Sequence, residues 1–181
     1  MSTRSRIGIE NQETGKVWSV YCHYDGYLEG VGQTLIDHYK DREKVDELIA
    51  LGDLSALGEE IGVKHDFDYG SKLDAGSAEH SRLRRMVLAY GRDRGENSPT
   101  AEDADAEAYI ARATEGWEEF AYLYRQGVWF VREIGGDAGP MLVNANDPEG
   151  AAEKPWINVE GALRFGIGDH RAYAFVVGVA Q

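Results

Sequence analysis

The sequence RIGIENQETGKVWSVYCH, residues 6–23, contains two short apolar segments separated by a polar segment with a glycine. Residues 11–16 have the composition of a turn, so we predict a β-hairpin with strands at 6–10 and 16–23. Side chains alternate between the two faces of a strand, and apolar residues occupy both faces of the second strand. They are Trp18, Val20 and Cys22 on one face, and Val17 and Tyr21 on the other. The second strand is therefore expected inside a sheet.

After the hairpin, the apolar residues have the spacing of helices. Apolar residues recur every three to four positions at 31–39, which predicts a short amphipathic helix. A second helix is expected between Asp41, which can cap its start, and Gly52, which can end it. Residues 62–81 are polar and contain glycines, so they predict a surface loop.

The second half of the chain alternates between strand and helix patterns. Residues 82–90 predict a central strand, and Ser98-Pro99-Thr100 predicts the start of a helix. The buried stripe of that helix is expected to contain Ala106, Ile110, Ala113 and Trp117. Two runs rich in aromatic and β-branched residues, 120–124 and 128–134, predict a second β-hairpin.

The order of these elements predicts an α+β fold with a mainly antiparallel sheet and helices packed on one face. We divide the chain into an α+β core domain at 1–135 and a β-rich C-terminal extension at 136–181 that packs on the core. Strand-like segments in the extension are 156–159, 161–167 and 172–179.

Composition excludes several classes of protein. The chain has 181 residues, 43% of them hydrophobic, and a net charge of −13, which repels nucleic-acid phosphates and anionic lipids. We therefore predict no direct nucleic-acid binding and no membrane association, and no apolar run has the roughly 18 residues of a membrane span. The only cysteine, Cys22, cannot form an internal disulfide, and no signal peptide is visible, so we expect a cytoplasmic location.

The first candidate site lies where the second strand ends, at His23, Tyr24 and Asp25. His23 and Asp25 are two positions apart and share a face, so they could form an oriented base or half of a metal site. A strand that ends in an Asp-Gly turn accounts for the same residues. Cys22 and His23 point to opposite faces and cannot form a catalytic pair.

The second candidate site is the glycine-bounded loop that contains Arg92, Asp93, Arg94 and Glu96. Its two guanidinium groups are suited to bind a carboxylate or phosphate, and they are equally suited to internal ion pairs. A third cluster, at residues 65–68, offers His65 and two aspartates but has no partner cluster elsewhere. We therefore predict neither a metal nor a cofactor.

Two signatures, SVYCHYDGY at 19–27 and YGRDRGE at 90–96, together resemble a family of small uncharacterised proteins from bacteriophages and prophages. This sequence has Tyr24 and Leu28 where the family pattern has Trp and Pro. The resemblance extends over about 5–133 and implies a phage accessory protein in a bacterial cytoplasm that inhibits a host enzyme or defence system. The matching segments are SVYCHYDGY at 19–27, GVG at 30–32, LIALGDL at 48–54, YGRDRGE at 90–96, and YLY with GVWF at 122–124 and 127–130.

Three functions are consistent with the sequence. The first is a non-catalytic protein that binds and inhibits a host protein. The second is a protein that binds or sequesters a small nucleotide-like anion through the arginine loop. The third is a hydrolase or transferase that uses His23 and Asp25, with Glu96. We expect no catalytic residues under the first two, and self-association to a homo-oligomer stays open.

Overall fold

The computed structural model describes residues 2–134, 156–167 and 171, and its centre is one mixed sheet with helices on both faces. The predicted first hairpin is confirmed as β1, Ser5–Glu10, and β2, Val17–Cys22. Its turn is closed by the side chain of Asn11, which accepts hydrogen bonds from the backbone N–H groups of Glu13 and Thr14.

As predicted, β2 lies inside the sheet. It pairs with β1 along one edge, and its other edge pairs first with β5, Ala101–Asp103, and then with β3, Leu54–Ala56. A short strand, β4, Leu88–Ala89, completes this side of the sheet.

The second hairpin is also confirmed, as β6, Phe120–Arg125, and β7, Val128–Glu133. Gln126 and Gly127 connect the strands, and both have positive φ angles, which matches the twist of a two-residue hairpin turn. β6 runs parallel to β1, and the sheet order is β4-β3-β2-β1-β6-β7-β8, with β8 at Ile157–Asn158. Most pairings are antiparallel, as predicted.

The helices cover both faces, so the prediction that they pack on one face is wrong. The main core contains Ile7, Ile9 and Val20 and is covered by α1, Gln33–His38, α2, Arg42–Ala50, and α6, Val159–Phe165. The opposite face carries α5, Ala106–Glu115. The physical reason is the second set of apolar side chains, which must also leave water. Its buried members are Val17, Tyr109, Ile110, Ala121 and Leu123.

Three local predictions need correction. The predicted central strand at 82–90 is the end of helix α4, Ala78–Arg84, followed by the two-residue β4 at the sheet edge. The side chain of Ser77 caps α4 by accepting from the N–H of His80, a local signal that outweighed the apolar run.

The helix predicted from residue 98 begins only at Ala106, after Asp105 accepts from the N–H of Ala108 at 2.8 Å. Residues 101–103 form β5 instead, because the edge of β2 offers them a ladder of hydrogen bonds. Trp117, predicted in the buried stripe, is 58% exposed.

The β-rich extension at 136–181 is not confirmed. Its described part, 156–167, is the short β8 followed by α6, which packs on the main core through Val159 and Ala162. The predicted strand at 172–179 lies outside the described residues. Within the described ranges, no helix combines the length and apolarity needed to cross a bilayer.

Tyr109 fixes α5 to the sheet, and its removal gives a first testable expectation. The hydroxyl lies 2.9 Å from the carbonyl oxygens of both Arg6 and Tyr122, and the ring packs against Gly8. Tyr109→Phe keeps the ring but removes the buried donor, so we expect a loss of about 1–2 kcal/mol in the free energy of unfolding. Urea unfolding measures it, with Tyr27→Phe at an exposed position as control. Equal stability of the two variants would show that this hydroxyl contributes nothing.

Candidate functional site

The two predicted site segments both attach to β3. The backbone N–H of His23 donates to the carbonyl of Leu54, and that of Tyr90, just before the arginine loop, donates to the carbonyl of Asp53. Both segments therefore lie next to the N-terminal end of β3. Among the described residues, no hydrogen bond or ring contact joins the side chains of His23 and Arg92.

The His23 segment is a turn held by side-chain and backbone contacts. Nδ1 of His23 lies 2.7 Å from the hydroxyl of Tyr21, and the ring of Tyr24 stands edge-on to the imidazole at 4.5 Å. Burial raises the pKa of Tyr21 to about 12. Asp25 is exposed at a positive φ angle, and its carbonyl, not its carboxylate, holds the turn by accepting from the N–H of Val31.

Arg92 is committed to internal contacts. Its guanidinium donates to the carbonyl of Ile61 at 2.7 Å, to the carbonyls of Gly62 and Val87, and to both carboxylate oxygens of Asp93. These contacts involve all three nitrogens of the guanidinium group. Arg92 therefore positions other residues, and its side chain is only 15% exposed.

The arginine loop forms a π-helical turn at Tyr90–Arg94, and the carboxylate of Asp93 accepts the hydrogen bonds that hold it. This carboxylate is fully buried and also accepts from the backbone N–H groups of Ala89 at 2.8 Å and His65 at 3.1 Å. Burial by itself raises the pKa of Asp93, but the hydrogen bonds from Arg92 and from the two backbone groups outweigh it and lower the pKa. The Arg92–Asp93 pair therefore holds the chain at His65 in place.

Arg94 and Glu96, in contrast, lie on the surface. They pair with each other at 3.2 Å, and both side chains are about half exposed. The guanidinium of Arg94 also lies over the ring of Phe67, at 5.1 Å from its centroid. Among the described residues, no hydrogen bond or ion pair joins Glu96 to His23 or Asp25, and the hydrolase or transferase stays a prediction.

His65 is the residue that the arginine loop positions. Its side chain is only 6% exposed, and Nδ1 lies 2.9 Å from the carbonyl oxygen of Val63. Nε2 is buried and has no hydrogen-bond partner among the described residues. A buried polar atom without a partner is energetically costly.

His65 lines a pocket of about 260 Å³ beside two short helices, α3, Tyr69–Lys72, and α4. The wall combines aromatic and aliphatic side chains with charged groups at the rim. The lining residues are His65, Asp66, Tyr69, Lys72, Leu73, Glu79, Arg82 and Leu83.

The charged groups at the rim form two ion pairs. Lys72 lies 2.6 Å from Asp66, and Arg82 lies 2.8 Å from Glu79. The hydrogen bond from Lys72 lowers the pKa of Asp66, and that from Arg82 lowers the pKa of Glu79. Both carboxylates are therefore ionised near neutral pH, and the four charges of the rim balance.

Sequence reasoning identified residues 65–68 as a set of potential ligands but missed the pocket. The pocket wall is built by α3 and α4, in the stretch that was predicted to be a loop and a strand. Only the Ser77 cap signals one of these helices locally. In the part of the chain that the structure describes, no three His, Cys, Asp or Glu side chains are arranged to hold a metal ion.

Comparison of the chain with protein-family models, with curated proteins and with solved structures found no match. The resemblance to phage proteins therefore stays a prediction, and the function is argued from the geometry of the pocket.

Proposed function

We propose that this protein binds a small organic molecule in the pocket at His65 and does not transform it. The observation that carries the proposal is a pocket of about 260 Å³ whose lining includes His65, a residue with a side chain that is only 6% exposed. That volume is slightly below the range of about 300–1,000 Å³ typical of sites for drug-sized ligands, so the ligand is compact.

The support for binding comes from preorganisation. His65 is held through its backbone N–H by Asp93, which is itself held by Arg92. Binding to a wall that is already fixed costs less conformational entropy than binding that must first order a loop of the protein. The second function predicted from sequence, small-ligand binding, is retained in this form, with the arginine loop acting as support for the pocket rather than as an anion clamp.

The support for binding without catalysis comes from the lining. A histidine that acts as a base in covalent catalysis needs a nucleophile within hydrogen-bond reach. The lining of the pocket contains no serine, threonine or cysteine. The only hydroxyl in the lining is that of Tyr69, and burial raises its pKa, which makes this oxygen hard to activate. We therefore assign His65 to the orientation of a ligand.

Filling the pocket tests this function. Leu73→Trp places a large ring at the pocket wall, and we expect it to abolish ligand-induced stabilisation. For the wild type, a ligand at a hundredfold its Kd stabilises by about 2.7 kcal/mol, which a thermal-shift screen of one- and two-ring compounds detects.

Ala111→Trp, on the exposed side of α5, is the matched control because it adds the same ring away from the pocket. Compounds that stabilise the wild type and both variants equally would contradict the proposal, as would a screen without any stabilising compound.

A second candidate, the accessory protein that inhibits a host protein, is favoured by one observation. Tyr24 and Tyr27 are 49% and 41% exposed in a turn that is fixed by a hydrogen bond from the N–H of Gly26 to Thr3. Rigid exposed tyrosines provide contact area at low entropic cost, and the neighbouring acids Asp25 and Glu29 favour a basic partner surface.

The test for this candidate is affinity capture from bacterial lysate with Tyr24→Ser/Tyr27→Ser compared with Trp117→Ser. Trp117 is 58% exposed and lies outside the turn, so it is the matched control. We expect a captured protein to be lost only with the double tyrosine variant. Its retention by that variant would exclude the turn as the interface.

A further inference from the structure

We propose that this protein also binds an extended, proline-rich peptide segment that carries basic residues. The binding surface, called the aromatic surface below, is formed by four side chains: His23, Tyr24, Phe67 and Tyr90. None of these residues lines the pocket at His65, so the aromatic surface is separate from the proposed ligand site. It shares Tyr24 with the second candidate function, on which this proposal rests in part, and it gives the partner of that candidate a chemical class.

The first half of the aromatic surface lies in the turn after β2. Tyr24 is 49% exposed, and its ring stands edge-on to that of His23, with the ring centroids 4.5 Å apart. The imidazole is held by the hydroxyl of Tyr21, which lies 2.7 Å from Nδ1. The backbone N–H of Tyr24 donates to the carbonyl of Ser55 at 3.0 Å, so the exposed ring is attached to β3.

The second half lies at the start of the arginine loop. The rings of Phe67 and Tyr90 have their centroids 5.4 Å apart and are tilted by 34°, and both residues are partly exposed. The guanidinium of Arg94 lies over the ring of Phe67 and extends this row of flat groups. The backbone N–H of Tyr90 donates to the carbonyl of Asp53 at 3.1 Å, so this half is attached to the residue just before β3.

Ser55 joins the two halves. Its carbonyl accepts from the backbone N–H of Tyr24, and its side chain interacts with the hydroxyl of Tyr90. Burial raises the pKa of Tyr90, the interaction with Ser55 opposes that rise, and the nearby hydroxyl of Tyr24 adds to it. The two tyrosines are therefore neighbours, and the rings of the two halves form one surface.

Two π-helical turns flank the aromatic surface. One of them, Leu28–Gly32, follows the turn that carries Tyr24, and the other, Tyr90–Arg94, begins with a ring of the surface itself. π-Helical turns are rare in proteins and occur frequently at functional sites. Two of them beside one surface are an indication of binding that does not depend on the exposure of the rings.

An extended proline-rich segment fits a row of partly exposed rings. In the polyproline II conformation the peptide backbone makes no internal hydrogen bonds, so its carbonyl groups are free to accept, and proline has no N–H that needs a partner. Tyrosine supplies both contacts that such a segment uses, a flat ring for packing and a hydroxyl that donates to a carbonyl. Aromatic-lined surfaces recognise proline-rich segments in several kinds of domain, and the stiffness of the segment lowers the entropic cost of binding.

The charge around the aromatic surface selects a basic partner. Asp25 and Glu29 are exposed beside Tyr24, and no ion pair of the described residues involves either acid. The net charge of −13 has the same sign, so electrostatic attraction favours arginine or lysine in the peptide. The same charge disfavours a single-stranded nucleic acid, which binds to aromatic surfaces with a basic groove, and a second copy of this acidic chain.

Three synthetic peptides test the proposal with the full chain. Three repeats of Arg-Pro-Pro combine the two required features, three repeats of Arg-Gly-Ser keep the charge without proline, and three repeats of Glu-Pro-Pro keep the prolines with the opposite charge. We expect the first peptide to bind at least about tenfold more tightly than either control, because each control lacks one feature. NMR titration gives the Kd values, and the backbone amides of residues 23–29 and 90–96 should respond.

Substitutions separate the aromatic surface from a general attraction between charges. Tyr24→Ala and Phe67→Ala remove one ring from each half, and each should weaken the binding of the Arg-Pro-Pro peptide about three- to tenfold. Trp117→Ala removes an aromatic side chain that is 58% exposed outside this surface, so it should bind the peptide as the wild type does. Leu73→Trp, which fills the pocket, should also bind the peptide normally.

Equal binding of the three peptides overturns the proposal, as does undiminished binding by Tyr24→Ala and Phe67→Ala. The comparison of peptides on the wild type decides even if a variant does not fold. A single-stranded oligonucleotide that binds more tightly than the peptide, or shifts at residues 23–29 when the protein alone is concentrated, would assign the surface to another occupant and also overturn it. The pocket is tested by its own variants, and a captured protein that depends on Tyr24 and Tyr27 would leave the second candidate standing without peptide binding.

Discussion

Arg92→Met is expected to lower the free energy of unfolding by about 3–5 kcal/mol, because it leaves the buried carboxylate of Asp93 without its cation. The substitution also removes the donors to the carbonyls of Ile61 and Val87. Equilibrium unfolding in urea measures the loss. Arg94→Met is the matched control two positions away, and since Arg94 pairs only at the surface we expect a loss of about 1 kcal/mol or less.

A double variant distinguishes an uncompensated charge from a loss of packing. Arg92→Met/Asp93→Asn removes both charges, so its loss should be smaller than the sum of the two single losses. Additive losses, or an Arg92→Met variant as stable as Arg94→Met, would show that the pair does not support the loop. A fall in the affinity of the pocket for the compounds that stabilise the wild type should accompany the loss of stability, because Asp93 holds the backbone of His65.

Arg6→Met is the second change with a large expected effect, again about 3–5 kcal/mol near neutral pH. Glu118 is 2% exposed, and its Oε1 accepts from Nε and Nη2 of Arg6 at 2.9 and 2.7 Å. Burial raises the pKa of Glu118, and Arg6 only partly opposes that rise. Without Arg6 the pKa should rise further.

The loss in Arg6→Met should therefore depend on pH. A carboxyl whose pKa is raised on folding favours the folded state when protonated, and this stabilisation is lost as pH rises through the folded pKa. The destabilisation should shrink as pH falls from neutral toward the unfolded value of about 4.3 for Glu. Urea unfolding across that range measures it. Arg6→Met/Glu118→Gln should show a nearly constant loss, and a pH-independent loss in Arg6→Met itself would contradict the assignment to Glu118.

The parts of the fold that the sequence predicted correctly are governed by local chemistry. The turns at Asn11 and at Gln126-Gly127 select a hairpin by themselves, and both hairpins are where the pattern placed them. The stripe of Ile110 and Ala113 in α5 is also confirmed, because helical periodicity needs no information from distant residues.

The parts that were missed depend on distant contacts. The first turn of the predicted helix became β5 because the edge of β2, more than 80 residues away in sequence, was open to it. The pocket also depends on a distant contact, because the hydrogen bond from the backbone N–H of His65 to Asp93 joins residues that are 28 positions apart. The pattern of residues 62–81 contains no sign of this hydrogen bond. Their polar composition therefore predicted a loop.

The parallel pairing of β1 with β6 joins the beginning of the described chain to a strand that is synthesised much later. The backbone N–H of Arg4, just before β1, donates to Glu119, which is 115 positions further along the chain. β1 therefore leaves the ribosome long before β6 has been synthesised. Until then one edge of β1 is an unpaired ladder of backbone groups, open to strands of other nascent chains. Such distant pairings slow folding, and a ribosome stalled before residue 120 would present an aggregation-prone intermediate to chaperones.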